Sequence, residues 1–181
     1  IILNLKKVIE NYLKKKSINT YGLINNIIFY LSYIIFFKRI NYWKKFKIKK
    51  HVIVYNKFNR KFDNFWNKLK KFNKETFMFN RSSEWINWHL SHQFETNKAI
   101  IVAEEQNDEI IGYSICLLKN VDKINLKKAI LLDLVALDDN DETYINLLLH
   151  SIKETDKQEC HLFEIVGFNN KKRKIINSLK P

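Results

Sequence analysis

Glycine and proline are almost missing from this sequence, whose 181 residues include 3 Gly and 1 Pro. Flexible linkers, collagen-like repeats and β-sandwiches with many tight turns all need more of both residues, so these classes are excluded. No repeat of solenoid length recurs along the chain. With 46% apolar residues, the chain can still bury one core of ordinary size and carry an appendage.

Cysteine and histidine are also sparse. The two cysteines, Cys116 and Cys160, lie in apolar runs typical of strands and lack the spacing of a disulfide framework, which indicates buried thiols in a reduced, cytoplasmic protein. The five histidines are scattered, and the one close pair, His89 and His92, lacks the further ligands of a zinc site. We therefore expect no metal cofactor.

Charge is distributed unevenly along the chain. The formal net charge is +13, but residues 1–74 hold 19 basic and 2 acidic residues, whereas residues 75–181 are net acidic. This asymmetry favours an anionic partner near the N-terminal part, such as membrane headgroups or nucleic acid, and a solvated lysine face explains it equally well. We do not expect specific recognition of nucleic acid.

Residues 1–50 read as a basic, apolar extension with helical spacing. Within it, residues 17–37 run for 21 residues without a charge, about the length that crosses a hydrocarbon core. Asn19, Asn25 and Asn26 would each need a hydrogen-bonding partner in lipid. The run is therefore a transmembrane helix, a helix lying on a membrane, or a helix packed against a missing part of the chain. Residues 38–50 mix basic and aromatic side chains, which suits an anionic membrane surface or single-stranded nucleic acid.

The ends of the sequence and the change of pattern at His51 define two parts. The chain starts without Met and stops just after a basic helical pattern, so we expect a fragment of a longer protein. Residues 1–50 are predicted to be an extension or interdomain linker, and residues 51–181 an ordered domain. The predicted location is cytoplasmic, with a membrane surface as an open option for residues 1–50.

From His51 onward, short β-branched runs alternate with stretches that repeat apolar residues at helical spacing. Asn59 and Ser82 stand where helix caps are expected, and an Asn-Asp turn within residues 106–109 predicts a hairpin. The predicted order is β-α-α-β-β-β-α-β-α over residues 51–55, 59–72, 82–88, 99–104, 110–118, 129–137, 144–152, 160–166 and 169–179. This order predicts an α/β (α+β) fold, a mixed central sheet with helices on both faces.

The order over residues 51–181 resembles the GNAT superfamily of acyl-CoA N-acyltransferases without its last two strands. Residues 109–113 (EIIGY) are similar to the start of the family's third strand, where Gly112 allows close backbone approach. Arg81 with residues 84–88 (EWINW), and residues 132–134 (LDL), resemble GNAT-like domains encoded with surface-polysaccharide genes. Such domains often stand in tandem, which implies a tandem GNAT domain or a dimer partner joined through residues 1–50.

The resemblance implies an acyl-CoA site between the fourth and fifth strands, which separate in the family. Free backbone groups of the fourth strand would hold the pantetheine arm, and N–H groups of the following turn would hold the pyrophosphate. The implied donor is acetyl-CoA or another acyl-CoA, and no metal is implied. The residues at these positions are Leu134, Val135, Ala136 and Leu137 for the arm, Asp139, Asn140, Asp141 and Thr143 for the pyrophosphate, and Asn170 at the start of the last helix.

Two features depart from the family's pattern. Residues 138–143 (DDNDET) contain four carboxylates and no glycine, and carboxylates satisfy a helix N-terminus themselves and repel a diphosphate. The last helix has no counterpart of the tyrosine that often protonates the leaving thiolate, since residues 174–177 read KIIN. A degenerate, non-catalytic GNAT-like module that supports a partner domain is therefore an alternative to an enzyme.

Asp133 is the candidate catalytic residue, because burial in the apolar run 130–136 would raise its pKa and make it a general base for an amine. The alternative is a structural aspartate bonded to the backbone. Arg81, Trp88 and His89 would line an acceptor pocket, or they belong to a capped amphipathic helix with its Trp in the core. The sequence thus predicts acyl transfer from acyl-CoA to a small-molecule amine. The non-catalytic module and a basic membrane-surface adaptor using residues 1–50 are the alternatives.

Overall fold

The structure is a computed structural model of the chain, and it describes residues 1–4, 7–11, 31, 51–73, 78–165 and 167–179. Of residues 17–50, only Leu31 is among the described residues. The interpretation of residues 17–37 and 38–50 as membrane or nucleic-acid segments therefore stays a prediction. Among the described residues, no helix is both long and apolar enough to cross a bilayer.

Five strands form one sheet in the order β1-β2-β3-β4-β5. β1 to β4 are antiparallel neighbours, whereas β4 and β5 run parallel because a helix between them returns the chain to the same end of the sheet. The predicted mixed sheet is confirmed, as is the tight turn of Asn107 and Asp108, both left-handed, between β2 and β3. The strands are β1 (Val52–Tyr55), β2 (Ala99–Gln106), β3 (Glu109–Val121), β4 (Leu126–Ala136) and β5 (Leu162–Ile165).

The predicted helices are also present. Asn59 caps the first by accepting a hydrogen bond from the N–H of Lys61, and Ser82 caps the second by accepting from the N–H of Trp85. A short third helix follows directly and was not predicted. From residue 51 onward the described helices are α1 (Arg60–Phe72), α2 (Ser83–His89), α3 (Ser91–Glu95), α4 (Asp141–Lys157) and α5 (Asn170–Ser178), with short 3-10 turns at Asp122–Ile124 and Leu137–Asp139.

Each face of the sheet carries its own hydrophobic core. α4 and α5 pack on one face, where Leu147, Leu148 and Ile152 are fully buried. α1 and α2 pack on the other, around Phe62 and Phe65. Burying a large apolar side chain contributes about 1.5–3 kcal/mol, so each core holds its helices firmly against its own face of the sheet. The prediction of helices on both faces is confirmed.

Gly112 lies under the first turn of α4, at Thr143. A Cβ on this residue would lie 2.7 Å from Thr143 Cγ2 and 2.9 Å from the carbonyl oxygen of Val135. Both distances are well below the optimum for non-bonded contacts, so the close approach predicted at this glycine is confirmed. The missing side chain lets the start of α4 sit directly over β3 and β4.

β4 contains a bulge that the sequence did not predict. The pairing with β3 shifts by one residue there, which leaves Leu132 as an extra residue. Leu131 before the bulge and Leu134 after it belong to the core under α4 and α5. Asp133 therefore turns to the opposite face, where it contacts Arg81.

The outer edge of β5 is paired with the first residues of the chain. Ile2 forms an antiparallel bridge with Leu162, and the carbonyl oxygen of Ile1 accepts a hydrogen bond of 2.8 Å from the N–H of Phe163. These backbone groups of β5 are therefore satisfied on the side where a further strand would pair. The absence of the family's last two strands stays a prediction.

Candidate active site

β4 and β5 are paired at one end and separate at the other. Their parallel register runs from Lys128 with Leu162 to Leu131 with Ile165, whereas β4 continues to Ala136. Residues 132–136 thus have no β5 partner in the part of the chain that the structure describes. We call this opening along residues 132–136 the seam. The predicted divergence of the two strands is confirmed.

Side chains of the same molecule satisfy the backbone of β4 in the seam. The carbonyl oxygen of Leu134 accepts a hydrogen bond of 2.5 Å from Lys172 Nζ, near the start of α5. The N–H of Leu134 donates to Asp133 Oδ1 at 3.0 Å, and the N–H of Ala136 acts as a donor to the Tyr144 hydroxyl. Backbone groups left free by a departing strand need such partners, because a buried unpaired N–H or C=O group is costly.

The ammonium group of Lys172 is held among aromatic rings. It lies 5.1 Å from the ring centroid of Tyr144 and 5.7 Å from that of Phe168, within the range of cation–π contacts. Burial lowers the pKa of Lys172 below its usual value, although the charge of Asp133 acts in the opposite direction. The seam is therefore occupied by a cation of the protein itself.

The turn between β4 and α4 is built without glycine. Asp138 and Asp139 both have a φ of 53°, a left-handed conformation that aspartate tolerates better than most residues. Asn140 caps α4 by accepting a hydrogen bond of 3.0 Å from the N–H of Thr143. Asn140 thus already satisfies one of the N–H groups that the resemblance assigns to a pyrophosphate.

A lysine of α5 offsets part of the negative charge of this turn. Lys171 Nζ lies 2.8 Å from Asp139 Oδ2 and 3.3 Å from Asp141 Oδ1, and the Tyr144 hydroxyl donates to Asp139 Oδ1 at 2.6 Å. Burial alone would raise the pKa of Asp139, but the hydrogen bonds from Lys171 and Tyr144 lower it. The repulsion expected between this turn and a diphosphate is therefore reduced.

A pocket of about 240 Å³ adjoins the seam at Leu132 and Asp133. Arg81 and His89 lie in its wall, where the sequence predicted an acceptor pocket. Trp88 does not line it and is 71% exposed as a residue. Trp85 does line it and stacks on His89, with ring centroids 4.3 Å apart. The rest of the wall is mainly apolar: Phe79, Ile86, Leu90, Ile115 and Leu132, with Asn80.

Asp133 joins the pocket to the seam as half of an ion pair. Its Oδ2 accepts a hydrogen bond of 2.8 Å from Arg81 Nε, and the Tyr113 hydroxyl donates to the same oxygen at 3.3 Å. Both charged side chains are 19% exposed. A carboxylate that accepts hydrogen bonds from a guanidinium and from a backbone N–H favours the structural alternative, because these donors already occupy both of its oxygens. The general-base role stays a prediction that this pairing disfavours.

Comparison with known proteins identifies the fold. No family model and no curated protein matches the sequence. Solved structures match the fold, among them a probable acetyltransferase with a TM-score of 0.56 and 12% identity, covering 72% of this chain and 88% of that one. A predicted acetyltransferase with acetyl-CoA from Clostridium acetobutylicum gives a TM-score of 0.52 and 10% identity, covering 70% and 87%.

An aminoglycoside acetyltransferase from an uncultured soil metagenomic sample, in complex with trehalose, gives a TM-score of 0.52 and 12% identity, covering 75% of this chain and 91% of that one. The chain has the GNAT acetyltransferase fold. At these identities the similarity is one of fold, and the GNAT assignment predicted from the order of elements is confirmed at that level. The resemblance to domains encoded with polysaccharide genes stays a prediction.

The GNAT fold brings most of the predicted cofactor residues to one place. The backbone of residues 134–136 and the turn of residues 137–143 adjoin the seam, while the side chains of Leu134 and Ala136 are buried under α4 and α5 and that of Val135 under α1 and α2. Asn170 is exposed at the first position of α5, and Asn169 caps that helix instead by accepting a hydrogen bond of 3.0 Å from the N–H of Lys172. The binding roles of these residues stay predictions.

Sequence reasoning missed the two lysines that reach into this GNAT seam. Lys171 and Lys172 lie in the first turn of α5, where the helix dipole disfavours a positive charge. This unfavourable placement could have indicated their role, because a cation in the first turn of a helix is expected to have an anionic or carbonyl partner nearby. The partners lie 30 to 40 positions earlier in the chain and become visible only in the fold.

Proposed function

We propose that this chain binds an acyl-CoA along the seam and transfers the acyl group to a small-molecule amine held in the adjoining pocket. The observation that carries the proposal is the opening of β4 away from β5 at the point where Asp133 lines an apolar pocket. An extended donor can use backbone groups of β4 there, and its acyl end would then face the pocket. The similarity of the fold to acetyltransferases supports the same proposal.

The turn before α4 is the proposed site for the diphosphate of the donor. N–H groups at the start of α4 would bind its oxygens, and Lys171, 45% exposed beside the turn, would contribute a cation. The carboxylates of Asp139 and Asp141 oppose this binding. We therefore expect weak affinity that depends on Lys171 and on salt concentration.

The chemistry proposed for the pocket is direct attack of the amine on the thioester carbon. The nitrogen forms a bond to the acyl carbon, the carbon–sulfur bond breaks, and the thiolate leaves with a proton. His89 lines the pocket, which makes it the described side chain best placed to accept a proton from an attacking amine. Because Asp133 is paired with Arg81, the pocket favours an amine with an apolar body over a polycation.

A second candidate function is a GNAT-like module without catalysis. Lys172, Asp133 and Tyr144 already satisfy the β4 groups that a donor would use, and Asn140 already caps α4. A non-catalytic module would have its seam paired in this way, since the free backbone groups of β4 then need no ligand. Both functions predict the same fold and differ in binding and turnover.

Calorimetric titration with acetyl-CoA and CoA, followed by an assay of thiol release with a panel of small amines, tests the two candidates. The wild type should bind at up to millimolar donor, and Lys171→Ala should weaken binding about fivefold, since losing an exposed charge pair costs about 1 kcal/mol. The matched control is Lys174→Ala, an exposed lysine of the same helix, with unchanged binding expected.

The three outcomes are distinct. Binding with amine-dependent thiol release supports the transferase. Binding without release for any amine supports the non-catalytic module. Absence of heat and of any thermal shift at millimolar donor rejects the acyl-CoA site itself.

A further inference from the structure

Lys172 is a half-buried amine in the seam that the proposed acyl transfer does not use. Its Nζ donates to the carbonyl oxygen of Leu134 and lies over the rings of Tyr144 and Phe168. No carboxylate of the described residues forms an ion pair with it. In contrast, its neighbour Lys171 is paired with two carboxylates. Lys172 is therefore a lysine held by one neutral oxygen in the place where a thioester arm would lie.

Donor binding and Lys172 compete for the same backbone oxygen. This step rests on the proposed function, because an arm lying along β4 uses the groups that β5 leaves free, and the carbonyl of Leu134 is one of them. The backbone of Lys172 is fixed by the cap at Asn169, so a donor displaces the flexible side chain while α5 stays in place. The displaced amine remains beside the arm.

We propose that Lys172 is itself an acyl acceptor, modified on Nζ by the acyl-CoA that occupies the seam. The ammonium group first loses a proton to solvent. The neutral nitrogen then attacks the thioester carbon, a nitrogen–carbon bond forms, and the carbon–sulfur bond breaks. The thiolate of CoA takes the proton that the nitrogen releases, so the products are Nζ-acyl-lysine and CoA thiol.

The surroundings make Lys172 more reactive than the lysines next to it. Burial lowers its pKa, which increases the fraction of neutral amine about tenfold for each pKa unit. Lys171 has a raised pKa because it donates a hydrogen bond to Asp139, and Lys174 is exposed. Two lysines within two positions of Lys172 therefore serve as internal references for ordinary chemical acylation.

Mass spectrometry of the full chain after incubation with acetyl-CoA near neutral pH tests this proposal. Peptides from a protease that does not cleave at lysine locate the acetyl group, and calorimetry on the same preparation measures donor binding. Lys172 should be acetylated at least about tenfold faster than Lys171 and Lys174, because the seam holds its amine beside the bound thioester. The preference should disappear in urea, where the fold no longer positions the side chain.

Two variants complete the design. Lys172→Arg keeps the charge and should lose the fast acetylation, whereas Lys174→Arg, at an exposed position of the same helix, should keep it on Lys172. The comparison of native with urea-unfolded wild type does not depend on whether either variant folds. Donor binding with Lys172 no faster than its neighbours overturns this inference and leaves the proposed function intact. Failure of donor binding together with unselective acetylation overturns both.

Discussion

Replacing Gly112 by alanine measures how closely α4 is held over the sheet beside the seam. The new Cβ would lie 2.7 Å from Thr143 Cγ2, 2.9 Å from the carbonyl oxygen of Val135 and 3.0 Å from Leu147 Cδ1. The Leu147 methyl group ends a flexible side chain and can turn away. The Thr143 side chain is stiff because it is β-branched, and the Val135 oxygen belongs to the backbone of β4. A helix or a strand must therefore move.

The expected magnitude follows from these contacts. Overpacking of this kind costs about 1–3 kcal/mol. Alanine also restricts the unfolded chain, which returns about 0.4–1 kcal/mol of stability. The free energy of unfolding should therefore fall by about 1–2 kcal/mol. For a domain of this size each kcal/mol shifts the melting temperature by about 2–4 °C, so a decrease of about 2–8 °C is expected.

Thermal and urea unfolding followed by circular dichroism provide the assay. Thr143→Ser removes the atom nearest to the new Cβ, so it should restore part of the loss in the Gly112→Ala background. The contact with the Val135 oxygen persists, which makes the rescue partial. A coupling energy above about 0.5 kcal/mol in this double-mutant cycle is expected for residues in contact. A Gly112→Ala variant as stable as the wild type, or a double variant without coupling, would refute the close approach of α4.

Three further predictions concern charge and pH. Burial and the hydrogen bond with Glu105 raise the pKa of Tyr55 from 10.0 to about 12. Its contribution to stability is therefore present below pH 10 and lost as the pH rises to about 12. Tyr55→Phe should make the urea midpoint less dependent on pH in this range. Burial lowers the pKa of His161 below 6.5, so stability should fall as pH drops below 6.5, and His161→Phe should remove this dependence. Arg81→Met leaves the Asp133 carboxylate without its guanidinium partner and should lower the free energy of unfolding in urea by about 2 kcal/mol. Adding Asp133→Asn should recover part of this loss. Equal stability of the single and the double variant would contradict the ion pair.

The periodicity of apolar residues predicted the helices that carry the core. α1 ends at Phe72 as predicted and begins one residue after its predicted cap, because Asn59 and the apolar stripe both act locally. α4 extends to Lys157 beyond the predicted residue 152, since its last turns are polar and carry no apolar signal. α3 was missed because a single turn has too few residues to show a period.

The parts of the candidate site that depend on the order of strands and helices could be predicted from the sequence. The parts that depend on helix phase and on tertiary contacts could not. The separation of β4 from β5 follows from the fold. The exchange of Trp88 for Trp85 in the pocket wall reflects helix phase, because residues three apart differ by about 60° around the axis. The contacts of Lys172 with Leu134 and of Asp133 with Arg81 required the tertiary structure, since these pairs lie far apart in the sequence.

Because Leu132 is an extra residue in β4, the side chains that face α4 and α5 have odd numbers before it and even numbers after it. In a saturation scan of this strand, the positions under α4 and α5 that reject polar residues should be odd up to residue 131 and even from residue 134. Deleting Leu132 would merge the two halves into one uninterrupted alternation. Asp133 would then follow Leu131 directly and keep its place on the Arg81 face, and Leu134 and Ala136 would stay under α4 and α5.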